Sequence, residues 1–416
     1  AGFGWNVSNE SFFEKIKPVV SLLRLKYTYG IVGNDAISGP EDRFFYLSDV
    51  NINDGGKGYT FGEQFNNYYP GYYISRYPNP EVSWEIAKKA NYGLELGLFK
   101  KATLQVDYFT EERSNIYMSR DYVPETFGST AAIKSNVGEV QSHGVDISLD
   151  SNFSFANGFW LTTRANFTYA TNEIIKNGEP VYPYDYMSKK GYSVNQEWGY
   201  LAERLFIDQA DIDASPSQFN QGNSSELGYL AGDIKYTDVN EDGKVDELDR
   251  VPIGQPTIPE IVYGFGASMG YKNFDMSFFF QGVAKQSFFI DPNKIAPFVD
   301  QGNALSVIAN NHWSDKNPDP NAFWPRLSTS PVANNEERST WWLRDADFLR
   351  LKSLEIGYSL PENLMKKAHL QSTRIYLSGL NLFALSKFKL WDPEMGDNGL
   401  GYPTQRVVNL GLQIKL

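Results

Sequence analysis

The sequence predicts an all-β fold: an antiparallel β-barrel that crosses a membrane and carries long loops at one end. Three observations support this prediction. Apolar and polar residues alternate along many segments, the clearest segments reach the roughly 9–11 residues that a tilted transmembrane strand needs, and short turns alternate with very long connections. Strands of soluble proteins are usually shorter, about 5–6 residues, so the pattern favours a membrane barrel over a soluble sandwich.

The first predicted strand shows the alternation most simply. One face of residues 23–31 carries Leu23, Leu25, Tyr27, Tyr29 and Ile31, and the other carries Arg24, Lys26, Thr28 and Gly30. The pattern recurs at 92–98, 104–108, 145–149, 159–169, 261–271, 274–281, 350–358, 374–379 and 409–416. In a membrane barrel one face of each strand meets lipid and the other faces the lumen. We therefore expect about ten clear strands whose apolar faces contact the lipid bilayer, together with a few that the pattern does not reveal.

Composition excludes other classes of protein. The chain has 416 residues, 15% of them aromatic, and a mean hydropathy of −0.42. It contains no run of about 20 apolar residues, so it is not a helical membrane protein. Its 50 acidic and 38 basic residues give a net charge of −12, which argues against a nucleic-acid partner. Cysteine is absent, so the redox compartment stays open.

The connections between the predicted strands are strongly unequal in length. The turns at Lys100-Lys101 and Lys272-Asn273 are short, whereas residues 172–260 and 283–344 form very long connections. Outer-membrane barrels have short periplasmic turns and long extracellular loops, with aromatic residues near the strand ends. The sequence therefore predicts a multi-pass barrel in the bacterial outer membrane, with long extracellular loops.

One of the long connections contains a motif with metal-ligand spacing. Oxygen-bearing side chains occupy positions 1, 3, 5, 9 and 12 of a twelve-residue loop with Gly243 at position 6, which is the spacing of an EF-hand calcium loop. Position 12 is aspartate where glutamate is usual. The predicted ligands of a structural Ca²⁺ are Asp238, Asn240, Asp242, the Lys244 carbonyl, Asp246 and Asp249. A turn rich in aspartate and glycine that binds no metal is the alternative.

Residues with catalytic potential are sparse. His143, His312 and His369 have no metal-ligand spacing to one another, and no thiol is present, so we predict that the chain is not an enzyme. The long loops instead carry ten aromatic residues that either contact cargo or pack loop against loop. These are Tyr182, Tyr184, Tyr186, Tyr192, Trp198, Tyr200, Trp313, Trp324, Trp341 and Trp342.

Several short segments, in order along nearly the whole chain, are similar to one family. They are LKYTYGIVGN at 25–34, NVGEVQSHGV at 136–145, DVNEDGKVD at 238–246, DRVPIG at 249–254, YKNFD at 271–275 with FQG at 280–282, WLRDA at 342–346 with FLRLK at 348–352, and GLNLF at 379–383 with WDPE at 391–394. Together they resemble the SusC/RagA-type TonB-dependent outer-membrane transporters of Bacteroidetes.

The resemblance implies a 22-stranded barrel, of which residues 1–416 are the C-terminal portion. The N-terminal half of the barrel and the plug domain are then expected outside this chain. It also implies TonB-dependent import of oligosaccharides or peptides, with a SusD-like lipoprotein as lid and the TonB–ExbB–ExbD system acting through the plug. The alternatives are a receptor for siderophores or other small cargo, a secreted calcium-stabilised β-rich glycan-binding protein and, with least support, an outer-membrane enzyme.

Overall fold

The structure is a computed structural model that describes residues 1–35, 44, 46–129, 131–218, 228–298, 302–330, 332–397 and 399–415. The strands are β1 Gly2–Asn6, β2 Val20–Asn34, β3 Asp49–Phe61, β4 Asn67–Arg76, β5 Glu85–Leu98, β6 Ala102–Ser119, β7 Lys134–Ser154, β8 Phe159–Lys176, β9 Glu197–Gly199, β10 Ala202–Leu205, β11 Ser217–Gln218, β12 Ile234–Tyr236, β13 Lys244–Val245, β14 Val251–Ile253, β15 Ile261–Tyr271, β16 Phe274–Ala284, β17 Ser287–Phe289, β18 Leu343–Asp345, β19 Phe348–Ser359, β20 Ser372–Ser386 and β21 Val407–Lys415.

The helices are few and short. They are α1 Gln209–Asp213, α2 Pro292–Ile295, α3 Ser306–Asn310, α4 Ala333–Glu336 and α5 Glu362–Ala368. Within the described ranges, no helix has the length and apolar character needed to span a membrane. The chain is therefore built mainly from strands.

Eleven strands form one large antiparallel sheet in the order β1-β2-β5-β6-β7-β8-β15-β16-β19-β20-β21. Strands that follow one another along the sheet also follow one another along the chain, as in an up-and-down barrel. The sheet is not closed in the described part of the chain, and β1 and β21 are its edges. All ten predicted strands are confirmed in this sheet, and β1 is its one strand that the pattern did not reveal. Leu416, at the end of the last predicted strand, lies outside the described residues.

The pairing register aligns the apolar faces of the strands. One row runs across seven strands through Trp5, Leu25, Leu94, Val106, Ile147, Phe167 and Tyr263. The adjacent row, on the other face, contains Arg24, Glu95, Gln105, Ser148, Asn166, Gly264, Gln281 and Arg350. Side chains alternate between the two faces of a strand, so the sheet has one apolar and one polar face.

The connections also differ between the two ends of the sheet. The connections 7–19, 99–101, 155–158, 272–273 and 360–371 leave the strands at one end of the sheet, and the connections 35–84, 120–133, 177–260, 285–347 and 387–406 leave them at the other. The predicted alternation of short turns and long loops is therefore present. We call the described residues of 177–260, 285–347 and 387–406 the loop layer.

The main hydrophobic core lies in the loop layer rather than against the sheet. Its buried members are Tyr200, Leu205, Ile234, Tyr236, Val245, Phe288, Ile290, Ile295, Ile308, Trp313, Ala322, Trp324, Trp342, Ala346 and Phe388. Backbone hydrogen bonds join the 177–260 connection to the 285–347 connection. Tyr200 N donates to Arg338 O at 2.9 Å, and Thr340 N donates to Tyr200 O at 3.0 Å. The long loops thus form a folded unit at one end of the sheet.

Candidate functional site

The polar face of the sheet carries rows of ion pairs between neighbouring strands. Glu95 on β5 receives both cations of β2, with Arg24 at 3.0 Å and Lys26 at 2.9 Å. At the other side of the sheet, Arg374 on β20 pairs with Asp275 and, at 2.7 Å, with Glu355. A face that carries this many charges suits water rather than lipid. It is therefore the candidate lumen surface.

The tryptophans of the loops lie mainly inside the loop layer. Tyr200, Trp313, Trp324 and Trp342 are only 2%, 6%, 8% and 1% exposed. The rings of Trp324 and Trp342 are 5.2 Å apart between centroids, and Trp342 Nε1 donates to Asn335 O at 2.7 Å. For these four residues the structure supports packing of loop against loop. The other six predicted aromatics are only partly buried.

A buried polar network, which sequence reasoning did not find, holds the two largest connections together. Asn334 Nδ2 donates to Ile234 O at 2.8 Å, and Ile234 N donates to Asn335 Oδ1 at 2.9 Å. Asn335 Nδ2 in turn donates to Asp233 at 2.8 Å, and Arg326 pairs with the same carboxylate at 2.9 Å. Burial of Asp233 raises the pKa of its carboxyl. No local sequence pattern marks these residues, because each partner lies about 100 positions away.

The predicted metal loop folds as a tight turn whose carboxylates accept backbone hydrogen bonds. Gly243 adopts a φ of +90° and donates its N–H to Asp238 Oδ2 at 2.8 Å. Asn240 Oδ1 accepts from Asp242 N at 3.0 Å. Within the described residues, no three acidic, histidine or cysteine side chains are grouped as a metal site. The first half of the loop therefore has the expected turn, while calcium binding stays a prediction.

The second half of the predicted metal loop has a structural role. Asp249 is fully buried, and its two oxygens accept from Val239 N and Asp246 N, both at 2.8 Å. Asp246 accepts from Leu248 N at 2.9 Å, and Lys244 Nζ lies 2.5 Å from Asp246 Oδ2. The ammonium of Lys244 lowers the pKa of Asp246. Asp249 therefore joins the beginning of the loop to its end.

Acid should weaken the loop layer through Asp211. Its carboxylate accepts from Arg204 Nη2 at 2.8 Å and from Ile207 N at 3.0 Å. The bond from Arg204 is the main reason that the pKa of Asp211 falls from 3.8 to about 2. A carboxyl with a lowered folded-state pKa stabilises the protein above its ordinary pKa, and this stability is lost as the pH falls through the folded value. The unfolding temperature of the wild type, followed by tryptophan fluorescence, should therefore fall between pH 4 and pH 2. The unfolding temperature of Asp211→Asn should fall less steeply over the same interval.

The control is Asp213→Asn, on the same helix α1. Asp213 is exposed and receives a hydrogen bond from Gln209 rather than from Arg204. We expect this variant to keep the wild-type acid dependence. An identical acid dependence of the wild type and Asp211→Asn would contradict the assignment to Asp211.

The described strands form a large antiparallel sheet with one apolar face, one polar face and a folded loop layer at one end, which is the arrangement expected for part of a membrane β-barrel. Residues 50–382 match the family model for TonB dependent receptor-like β-barrels. The chain belongs to this family, and the resemblance inferred from its sequence segments is confirmed.

Curated relatives support the same family assignment. The chain is 28% identical to TonB-dependent receptor P3 of Formosa agariphila, in an alignment that covers 99% of this chain and 41% of that protein. It is 24% identical to TonB-dependent receptor SusC of Bacteroides thetaiotaomicron, with coverages of 99% and 39%. The chain thus spans about two fifths of the length of the curated relatives that it matches.

Among solved structures, the RagAB peptide importer in its closed-closed state has a similar fold. The match has a TM-score of 0.67 and 23% sequence identity, and it covers all of this chain and 43% of the matched chain. A second RagAB structure, of the peptide transporter, gives a TM-score of 0.68 at 24% identity. At this identity the likeness establishes the fold alone.

Proposed function

We propose that this chain is the C-terminal portion of the barrel of a TonB-dependent importer in the bacterial outer membrane. Its cargo is an oligosaccharide or a peptide, and a SusD-like lipoprotein closes the long-loop end. The observation that carries the proposal is the family match over residues 50–382, on a sheet whose polar face leads to a folded loop layer. The chain itself carries out no bond chemistry in this proposal.

In this proposal each surface of the sheet has a role in import. The apolar face of the sheet contacts lipid, and the polar face lines the passage for cargo. Unpaired backbone groups at a sheet edge in lipid cost several kcal/mol each, so β1 and β21 pair with the N-terminal half of the same barrel. Energy reaches the barrel when TonB–ExbB–ExbD acts on a plug domain outside this chain.

Gene deletion combined with affinity purification tests the proposal. Cells that lack the protein should lose uptake of one class of large cargo, oligosaccharide or peptide, and cells that lack TonB should show the same loss. A lipid-anchored subunit should co-purify with the protein in detergent. Uptake of siderophores alone, without a lipoprotein partner, would favour the small-cargo receptor. A protein that is monodisperse in buffer without detergent would exclude the membrane barrel.

We also propose that the loop from Asp238 to Asp249 binds a structural calcium ion. Tyr186 lies beside this loop, because its hydroxyl donates to Leu248 O at 2.7 Å, and tyrosine sensitises the emission of terbium, which substitutes for calcium. Tb³⁺ should therefore emit on excitation of the protein, and Ca²⁺ should displace it. Asp238→Asn and Asp242→Asn should weaken this emission strongly, because each substitution removes one negative charge from the ligand set and the affinity of such loops depends on ligand charge.

Asp185→Asn is the matched control for terbium binding. Asp185 directly precedes Tyr186, is exposed, and does not belong to the metal loop. The terbium emission of the Asp185→Asn variant should equal that of the wild type. Emission that survives both loop substitutions would show that the aspartates of the loop serve only the backbone of the turn.

A further inference from the structure

Lysines lie over aromatic side chains at the short-turn end of the apolar face. Lys101 Nζ is 6.0 Å from the centre of the Phe153 ring, and Lys272 Nζ is 5.2 Å from the centre of the Tyr271 ring. Both rings belong to the apolar face, because each is an even number of residues from a member of the apolar row on its own strand. Two cations therefore lie at the border between the apolar face and the turns.

An exposed row of aromatic side chains joins these two positions. Tyr271 lies opposite Phe159 on one side and Phe274 on the other, and Phe274 lies opposite Tyr358. The Phe155 ring, in the turn between β7 and β8, is 5.6 Å from that of Phe159. The aromatic row consists of Phe153, Phe155, Phe159, Tyr271, Phe274 and Tyr358. Aromatic girdles mark the two interfaces of a membrane barrel, so this row marks the edge of the apolar face at the short-turn end.

The turns beside the aromatic row carry positive charge without a counter-charge. The three tight connections, between β5 and β6, β7 and β8, and β15 and β16, contain Lys100, Lys101 and Lys272 and no acidic residue. The chain as a whole has a net charge of −12, so this positive charge is local. All three lysines are exposed, and none forms an ion pair with a residue that the structure describes.

Lysine is also an uncommon residue for the backbone at two of these positions. Lys100 and Lys272 adopt φ angles of +58° and +54°, a region that glycine and asparagine occupy most readily. Tight hairpin turns favour those two residues for the same reason. A binding role for the ammonium group accounts for lysine at turn positions where the backbone favours a smaller residue.

The long-loop end provides an internal comparison. Lys285 Nζ lies 4.9 Å from the centre of the Tyr169 ring, which also belongs to the apolar face. The ammonium of Lys285 is 3.1 Å from Glu260, and this carboxylate also accepts from Thr171 at 2.7 Å. The protein thus neutralises the lysine over the ring at the long-loop end, whereas the lysines of the short turns have no such carboxylate among the described residues.

We propose that the short-turn end of the apolar face binds anionic phospholipid. The ammonium groups of Lys100, Lys101 and Lys272 bind the headgroup phosphate, and the acyl chains lie against the aromatic row. The short turns of outer-membrane barrels are periplasmic, so the lipid belongs to the inner leaflet. A zwitterionic headgroup brings its own cation, for which these turns have no carboxylate, whereas phosphatidylglycerol is net negative. This inference rests on the proposed membrane barrel.

Competition between two phospholipids tests the site. The full-length protein is purified in detergent with its native partners and given equal amounts of phosphatidylglycerol and phosphatidylethanolamine, and mass spectrometry measures the lipid that it retains. One lysine near an anionic lipid surface favours binding by about fivefold. The wild type should therefore prefer phosphatidylglycerol by at least about fivefold. Inorganic phosphate in excess should not displace the lipid, because phosphate alone leaves the aromatic row uncovered.

Substitution of the three lysines isolates the contribution of their charge. The triple variant with Lys100→Gln, Lys101→Gln and Lys272→Gln should retain the two phospholipids about equally. The corresponding triple substitution to arginine keeps the charge and should keep the wild-type preference. The matched control is Lys285→Gln, at the other end of the apolar face, which should also keep the preference. Circular dichroism of the strands identifies the variants that remain folded.

Two results would overturn the inference. One is equal retention of both phospholipids by the wild type, and the other is a preference for phosphatidylglycerol that survives in the triple glutamine variant. Displacement of the lipid by inorganic phosphate would likewise refute it, because the site would then be one for a soluble anion. Failure of the proposed function has a different signature, because the protein would then be monodisperse without detergent and would retain neither phospholipid.

Discussion

Replacing Arg350 with alanine should destabilise the long-loop end by about 3–5 kcal/mol, because removing one member of a buried ion pair leaves uncompensated charge. Arg350 lies on the polar face of β19, and its side chain is 3% exposed. Its guanidinium binds Asp392 and lies 2.8 Å from Glu394, both in the connection between β20 and β21. Without Arg350, two carboxylates share a site whose remaining cation is Lys352, 4.0 Å from Glu394 and 40% exposed. Apparent melting temperature and protease cleavage within residues 387–406 measure the loss.

Arg164→Ala is the matched control on the same face of the sheet. Arg164 pairs with Asp150 at 2.9 Å, but their side chains are 77% and 57% exposed. Exposed pairs contribute about 0–1 kcal/mol, so this variant should melt close to the wild type. Equal losses in the two variants would mean that Arg350 does not hold the connection to the sheet.

Replacing Trp342 with alanine should open the loop layer and leave the sheet intact. Trp342 is 1% exposed, packs on Trp324, and donates to Asn335 O at 2.7 Å. Truncation of a buried tryptophan costs about 3–5 kcal/mol, and here the lost hydrogen bond leaves a buried carbonyl as well. We expect proteases to cut residues 285–347 in the folded variant, while the circular dichroism of the strands stays unchanged.

Trp84→Ala provides the comparison, because Trp84 is 62% exposed and lies outside the loop layer. Its loop layer should resist proteolysis like that of the wild type. Loss of the strand signal in Trp342→Ala would contradict the separation of the two units. Resistance of Trp342→Ala to proteolysis would contradict the role of the buried indole.

The strands were predictable because their information is local. Each of the ten predicted strands alternates over enough residues to place one apolar face, as residues 23–31 show. β1 has the sequence GFGWN and carries only two large apolar side chains, and pairing places it instead, with Phe3 opposite Tyr27. The unequal connections were also predictable, because their lengths follow directly from the spacing of the strands.

The loop layer was not predictable from local pattern. Residue type alone does not distinguish an exposed, ligand-binding tryptophan from a buried one. The burial of Trp342 depends on its tertiary contacts within the loop layer. The polar network of Asp233, Asn334 and Asn335 was not predictable for the same reason, because its partners are about 100 positions apart in the sequence. In the metal loop the spacing predicted the turn at Gly243, but Asp249 serves the backbone in a way that spacing alone does not show.

The long separations within the loop layer fix the order in which the chain can fold. Gln218 bonds Asn334 across 116 positions, and Asn335 bonds Asp233 across 102. The entropic cost of closing a loop rises with its length, but pairing of β8, β15, β16 and β19 brings both ends of each connection together first. We therefore expect the strands to assemble before the loop layer forms. On this order the sheet is complete at a stage of biogenesis when its long-loop end is still without a fixed shape.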